Sequence, residues 1–384
     1  MSMQFPIERF RGQSTPFYYY DLDLLDRTLR AVTEASGYPG FKVHYAMKAN
    51  ANPAVIQRIA RAGLGVDAVS GGEVEAALLN GFSAGKIVFA GVGKTDAEIE
   101  AALRAGIACF NVESEAEFEV IEDIARRLNV KAPVAFRVNP EIDAHTHHYI
   151  TTGLAENKFG VSMQMLAPLI DRAISSDVID FRGLHFHIGS QITDFAPFGL
   201  LCDRINAIQD EYESRGIHFA TINVGGGLGI DYDDPDAHPV PDFKSYFDIF
   251  HRRLRLRPGQ ELHFELGRAI VAQCGSLITR VIYVKKGVER RFAIVDAGMT
   301  DLIRPALYQA HHNMENITAA TGAPVLDYDV VGPICESSDV FGKDEHLPEV
   351  RRGDLLALRS AGAYGEVMAS RYNLRQLPGS LCSD

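Results

Sequence analysis

The chain has few cysteines and no long apolar run, and both shortages narrow what it can be. Its five cysteines, Cys109, Cys202, Cys274, Cys335 and Cys382, are odd in number, spread over 384 residues and free of any CxxC pair. Neither a disulfide framework nor a zinc site follows from them, so no metal is expected, and a reducing compartment fits. The first residues, Met1-Ser2-Met3-Gln4-Phe5-Pro6-Ile7-Glu8, lack the basic start and apolar middle of a signal peptide. No apolar stretch approaches the length of a membrane span. A cytoplasmic protein with no membrane partner is the expectation. Basic runs are missing as well, and the net charge is −12, which argues against a nucleic-acid partner. Internal repeats and low-complexity segments are absent.

Hydrophobic residues make up 46% and charged residues 23% of the chain, the balance of an ordinary globular enzyme. The length suits one large α/β barrel and a smaller second domain. Short apolar runs at 42–46, 65–70, 87–90, 109–112, 134–139, 183–188, 221–224 and 262–265 read as strands, each separated by room for a helix. Thr95-Asp96-Ala97-Glu98 and Ser114-Glu115-Ala116-Glu117 fit the capping box of a helix start. After Ser114, apolar Phe118, Ile121, Ile124, Ala125 and Leu128 recur at helical spacing. Eight such repeats fit a (β/α)8 barrel better than an open doubly wound sheet. Beyond Glu265 the rhythm changes, with strand-like runs at 275–284, 291–296 and 354–357 and no regular helices between them. The expected division is a barrel over 25–265 and an all-β domain, sandwich or barrel, from 266–384 with a strand from 1–24.

In such a barrel, reactive groups sit where strands end. Lys48 follows the first strand, and a desolvated lysine there can act as a neutral amine for Schiff-base chemistry with a carbonyl cofactor. Taken alone, Lys48 reads as a surface lysine. His187, Ser190 and Gln191 follow the sixth strand, and Gly225-Gly226-Gly227-Leu228-Gly229 follows the seventh. That glycine run suits a phosphate, because backbone N–H groups can approach the anion; a plain tight turn is the bland alternative. His187 alone reads as a core histidine. Glu265 closes the eighth strand, and a buried carboxylate needs a cationic partner such as a protonated pyridine nitrogen. Arg268 offers a fork for a substrate carboxylate, or else a structural ion pair. A lysine for an aldehyde, glycines for a phosphate and an acid for a ring nitrogen together specify pyridoxal 5′-phosphate.

The motifs Tyr45-Ala46-Met47-Lys48-Ala49-Asn50, Val138-Asn139-Pro140, Lys158-Phe159-Gly160 and His185–Gln191 give the chain an end-to-end resemblance to the barrel-type pyridoxal-phosphate decarboxylases, with their alanine-racemase-like fold. Three further stretches resemble the diaminopimelate branch of that family: Asp296-Ala297-Gly298-Met299 leading to Arg304 and Tyr308, Gly332 to Asp339, and Gly362 to Ser370. The resemblance implies that Lys48 carries the cofactor, that His187 stacks on its ring and that Ser190 reaches its phosphate. Gly226, Gly227, Glu265, Gly267, Arg268 and Tyr364 complete the implied cofactor contacts. Arg268, Arg304, Tyr308, Glu336 and Tyr364 would bind substrate, and Cys335 would donate a proton across a homodimer with shared active sites. The implied reaction is decarboxylation of meso-diaminopimelate to L-lysine. Two arginines answer a distal carboxylate and Glu336 an ammonium, whereas a diamine precursor needs only the acidic contact. Leu266 stands where the family usually has proline, and Arg371 where asparagine is common; neither removes a chemical group. The rival readings are a decarboxylase of ornithine, arginine or carboxynorspermidine, a barrel racemase, and an inactive binding relative.

Overall fold

A computed structural model describes residues 3–140 and 158–384. Residues 141–157, within the expected active-site stretch, lie outside the described residues. The first strand, β1 (Phe17–Tyr20), belongs to the β-rich unit below. Eight parallel strands then close a barrel: β2 (Phe41–Ala46), β3 (Gly65–Ala68), β4 (Ile87–Phe89), β5 (Cys109–Val112), β6 (Ala132–Arg137), β7 (Ile179–His185), β8 (Thr221–Asn223) and β9 (Glu261–Leu266). All eight expected barrel strands are present, with ends moved by a few residues. The ring shuts where β2 pairs with β9, in a register that sets Phe41 beside Leu262 and His44 beside Glu265.

Strand β9 shows why the ring forms. Its side chains alternate between two environments, as a pleated strand requires. Leu262, Phe264 and Leu266 are fully buried, and Phe264 packs on Phe247 and Phe250 of the helix Phe243–Arg253. The intervening Glu261, His263 and Glu265 carry polar contacts instead. Barrel interiors are usually filled by branched apolar side chains. Here a cavity of about 820 Å³ opens at the N-terminal ends of the strands, lined by Lys42, His44, Val88, Cys109, Thr221 and His263 among others. It lies at the opposite end of the strands from Lys48, so its size says nothing about where the chemistry is.

The two expected helix starts differ in detail. Thr95 caps the helix Asp96–Ala105 with a complete capping box. Ser114 accepts the Glu117 N–H at 3.2 Å, but the Glu117 carboxylate accepts the N–H of Glu113, one residue before the cap, at 2.8 Å. Lys94 pulls it there, donating to the same carboxylate at 2.6 Å. The stripe behind the cap is buried at Phe118, Ile121, Ile124 and Ala125.

The second compact unit gathers residues up to Thr28, Ile230–Pro241 and Arg268–Asp384, while the barrel unit holds Leu29–Gly229 and Asp242–Gly267. Its strands are β1 with β10 (Gly275–Lys286), β11 (Arg291–Val295), β12 (Met314–Asn316), β13 (Val325–Val331), β14 (Val340–Pro348), β15 (Leu355–Leu358) and β16 (Gly379–Cys382). They run in the order β12-β15-β10-β11-β13-β14, with β1 antiparallel to β10 and parallel to β16. The extended stretch expected near the N-terminus is β1. Phe10, Phe17, Tyr19, Ile278, Leu355 and Ala357 form a core cluster in this unit. No helix among the described residues is long and apolar enough to cross a membrane.

Candidate active site

At the C-terminal ends of the barrel strands, polar side chains from different strands converge on Glu265. Asn111 of β5 and Asn223 of β8 donate their amide N–H groups to Oε1 at 3.0 and 2.7 Å. His185, the last residue of β7, donates Nε2–H to Oε2 at 3.0 Å. Burial would raise the carboxyl pKa, but His185 and the charge of Lys48 outweigh it and hold Glu265 below the ordinary carboxylate value. Glu265 is therefore an ionised acid with one acceptor direction on Oε2 left over.

Lys48 sits in the short 3-10 turn Met47–Ala49 that ends β2. Its Nζ lies 3.7 Å from Oδ2 of Asp67 in β3. Asp67 behaves opposite to Glu265: burial and the negative charge of Glu265 push its carboxyl well above the ordinary value, against the pull of Lys48. Its Oδ1 is buried without a hydrogen-bond partner among the described residues. Two carboxylates near one lysine are thus pushed apart, one ionised and one biased toward its protonated form.

His187 accepts the Gly226 N–H on Nδ1 at 3.2 Å. Burial first, then the charges of Arg137 and Lys48, lower its pKa well below the ordinary imidazole value, so the ring is neutral. The glycine run explains itself sterically. A Cβ on Gly226 would fall 1.9 Å from the Glu265 carbonyl oxygen, and Gly225 and Gly227 have φ of 69° and 110°. Gly225 N–H is spent on Asn223 Oδ1 at 2.9 Å and Gly226 N–H on His187, while the Gly227 N–H has no acceptor among the described residues. Gly267 packs against Ala46 and Ala49, each 3.1 Å from where its Cβ would be, and Ser190 lies half-buried beyond β7. An amine, an ionised acid with an open acceptor direction, a neutral imidazole and a spare backbone N–H fit pyridoxal phosphate.

In the second unit, Arg268 and Arg304 are buried at 7% and 5% exposure. Arg268 donates to the Tyr232 hydroxyl at 2.6 Å and lies 4.9 Å from the Tyr364 ring centre. Arg304 lies 4.7 Å from the Tyr232 ring centre. Tyr308 ends the five-residue helix that Arg304 begins. Tyr364 has φ of 57°, a left-handed conformation that non-glycine residues adopt mainly where surroundings impose it. Cys335 and Glu336 sit instead on an exposed loop. Asp339 ties that loop down, accepting the N–H groups of Ile334 at 2.7 Å and Met299 at 2.6 Å. Glu336 accepts from the Tyr372 hydroxyl at 2.8 Å.

The polar residues that the sequence reading passes over are Asp67, Asn111, His185 and Asn223 in the barrel and Tyr232 in the other unit. Each barrel residue occupies the last or next-to-last position of its strand, a regularity that could have found them.

Comparison with known proteins agrees with this chemistry. The family described as pyridoxal-dependent decarboxylase, pyridoxal binding domain, matches residues 22–272. The chain is 61% identical over 381 residues to diaminopimelate decarboxylase of Bacteroides thetaiotaomicron, covering 99% of this chain and 98% of that one. It is 45% identical over 373 residues to the Vibrio cholerae enzyme of the same name, covering 97% and 88%. The structure of Helicobacter pylori diaminopimelate decarboxylase complexed with L-lysine superposes with a TM-score of 0.92 at 41% identity, covering 98% of this chain and 94% of that one. By fold, motif and identity over nearly its whole length, the chain belongs to the pyridoxal-dependent decarboxylase family, among the diaminopimelate decarboxylases.

Proposed function

We propose that the protein decarboxylates meso-2,6-diaminopimelate at its D-configured centre to give L-lysine and carbon dioxide, with pyridoxal 5′-phosphate as cofactor. The observation that carries the reading is Glu265, kept ionised by Asn111, Asn223 and His185 and within reach of the charge on Lys48. The relatives support the substrate, since L-lysine, bound in the Helicobacter pylori enzyme, is what remains of diaminopimelate after one carboxylate leaves.

Lys48 would hold the cofactor aldehyde, Glu265 the ring nitrogen and His187 the ring face. Ser190, Gly226, Gly227, Gly267, Arg268 and Tyr364 would hold its phosphate end. Bound there, the cofactor supplies an electron sink for the pair left when carbon dioxide departs. Glu265 keeps the proton on the ring nitrogen by remaining a carboxylate. Arg268 and Arg304 bind the carboxylate of the unreacted L-centre, Glu336 binds its ammonium, and Tyr308 and Tyr364 wall the site. Cys335 delivers the thiol proton to the carbon that lost carbon dioxide. Its position on an exposed loop supports delivery to a partner, in a homodimer whose sites take Lys48 from one chain and Cys335 with Glu336 from the other. A free thiol suits the reducing cytoplasm, where we place the protein.

Carbon dioxide release should be measured from meso-diaminopimelate, L-ornithine, L-arginine and carboxynorspermidine, with borohydride trapping alongside. Release from diaminopimelate with L-lysine as product, and a reduced pyridoxyl adduct on Lys48, are expected. Preference for another substrate in the panel, or an adduct on Lys42, Lys86 or Lys158, would overturn the assignment.

A further inference from the structure

A buried guanidinium normally needs a carboxylate, because taking its charge out of water is costly. Arg359, in the β-rich unit, obeys this rule. Its side chain is 2% exposed and pairs with Asp236 at 3.0 Å and with Glu315. Arg304, in the same unit and nearly as buried, does not. Among the described residues no carboxylate lies within ion-pair distance of it. Its contacts are neutral: the Tyr232 ring and Nε2 of His312, which accepts from Arg304 Nη1 at 3.0 Å. His312 is fixed in that role, because its Nδ1 faces the Arg359 carbonyl at 2.8 Å. A carbonyl only accepts, so Nδ1 carries the proton and Nε2 offers the lone pair. Tyr232 serves both arginines, its hydroxyl accepting from Arg268 at 2.6 Å and its ring facing Arg304.

We propose that Tyr232 and His312 are positioning residues that hold Arg268 and Arg304 in place while leaving the Arg304 charge uncompensated for the substrate's unreacted carboxylate. The inference rests on the proposed reaction and adds the residues that set its selectivity. A carboxylate in either place would satisfy Arg304 equally well and cancel the charge that the ligand must find. A ring face and an imidazole lone pair orient a guanidinium without neutralising it.

The test compares L-lysine, which keeps the distal carboxylate, with cadaverine, which lacks it, by calorimetric binding to the cofactor-loaded protein. The variants are Tyr232→Phe, which keeps the ring and loses the hydroxyl, and His312→Glu, which gives Arg304 a carboxylate. Each should weaken L-lysine binding about tenfold or more, leave cadaverine binding and cofactor absorbance unchanged, and raise KM for diaminopimelate more than it lowers kcat. A merely structural role predicts that His312→Glu leaves L-lysine binding intact. That result, or equal weakening toward both ligands, overturns the inference. If Tyr232→Phe does not fold, His312→Glu decides alone. Wild-type protein that neither binds L-lysine nor releases carbon dioxide would sink the functional reading itself, which is a distinguishable failure.

Discussion

His44 in β2 faces the Lys86 carbonyl through Nδ1 at 3.2 Å and His263 through Nε2 at 3.0 Å. Burial, then the neighbouring His263, lowers its pKa to about 3. His312 is lowered to about 3 as well, by burial and by Arg304. Both rings stay neutral in the folded protein at pH values where the unfolded chain takes up protons, near the ordinary 6.5. The two rings' contribution to stability is therefore in place above about pH 6.5 and is lost as pH falls toward 3, at about 1.4 kcal/mol per pH unit for each ring. Urea unfolding between pH 7 and 4.5 should show this slope, and His44→Gln should remove about one ring's share of it. An unchanged slope in that variant would mean that His44 titrates normally. Lys48, Glu265 and Arg268 are legible in the sequence because each is a charge set at the end of an apolar strand. Asn111 and Asn223 are not, since a neutral amide in a short strand acquires meaning only when strands distant in sequence bring it to one carboxylate. Tyr232 and His312 are hidden for the same reason: they lie 80 positions apart and meet only in the fold, edge to face with ring centres 5.2 Å apart and both against Arg304.

Among the elements, the start of the helix Glu115–Leu128 is anchored by an ion pair within the barrel unit. Lys94 is 1% and Glu117 7% exposed, 2.6 Å apart, and Lys94 also donates to the carbonyls of Gly91 at 2.8 Å and Asn111 at 3.0 Å. Removing one partner strands the other charge in a dry site, which typically costs about 3–5 kcal/mol. Lys94→Met should therefore destabilise the protein by about that much in denaturant titrations, and adding Glu117→Leu should restore a large part of the loss. A double variant no more stable than Lys94→Met would show that Lys94 acts through its two carbonyl contacts. Barrel strands are readable because each is a short apolar run bounded by helix signals. Strand β14 is not, since Gly342, Lys343, Asp344 and Glu345 leave it half exposed with little apolar alternation. The capping box at Ser114 looks complete in sequence, yet the structure diverts its glutamate to Lys94, a residue that no local pattern includes.

For the whole molecule, the expected assembly is a dimer with two composite sites. Lys48→Ala and Cys335→Ala homodimers should each be nearly inactive. Random subunit exchange makes about half the population mixed dimers, each with one intact site, so activity should recover to roughly a quarter of wild type. Demonstrated exchange without recovery would place both residues in one chain's site.

The seam between β2 and β9 governs when the protein can begin to work. In the paired register Leu262 stands 221 residues after Phe41, and the seam joins the strand that leads into Lys48 to the strand that carries Glu265. At about 20 residues per second of synthesis, β2 waits roughly ten seconds or more on the ribosome for its last neighbour. Until then one edge of β2 lacks its partner, an exposed edge that invites wrong pairing. An emerging chain that stops before Glu265 holds the lysine but not the acid, so on the proposed reading cofactor capture should await completion of the ring. Chains halted before β9 should fail to retain pyridoxal phosphate and should depend on chaperones more than chains halted after it.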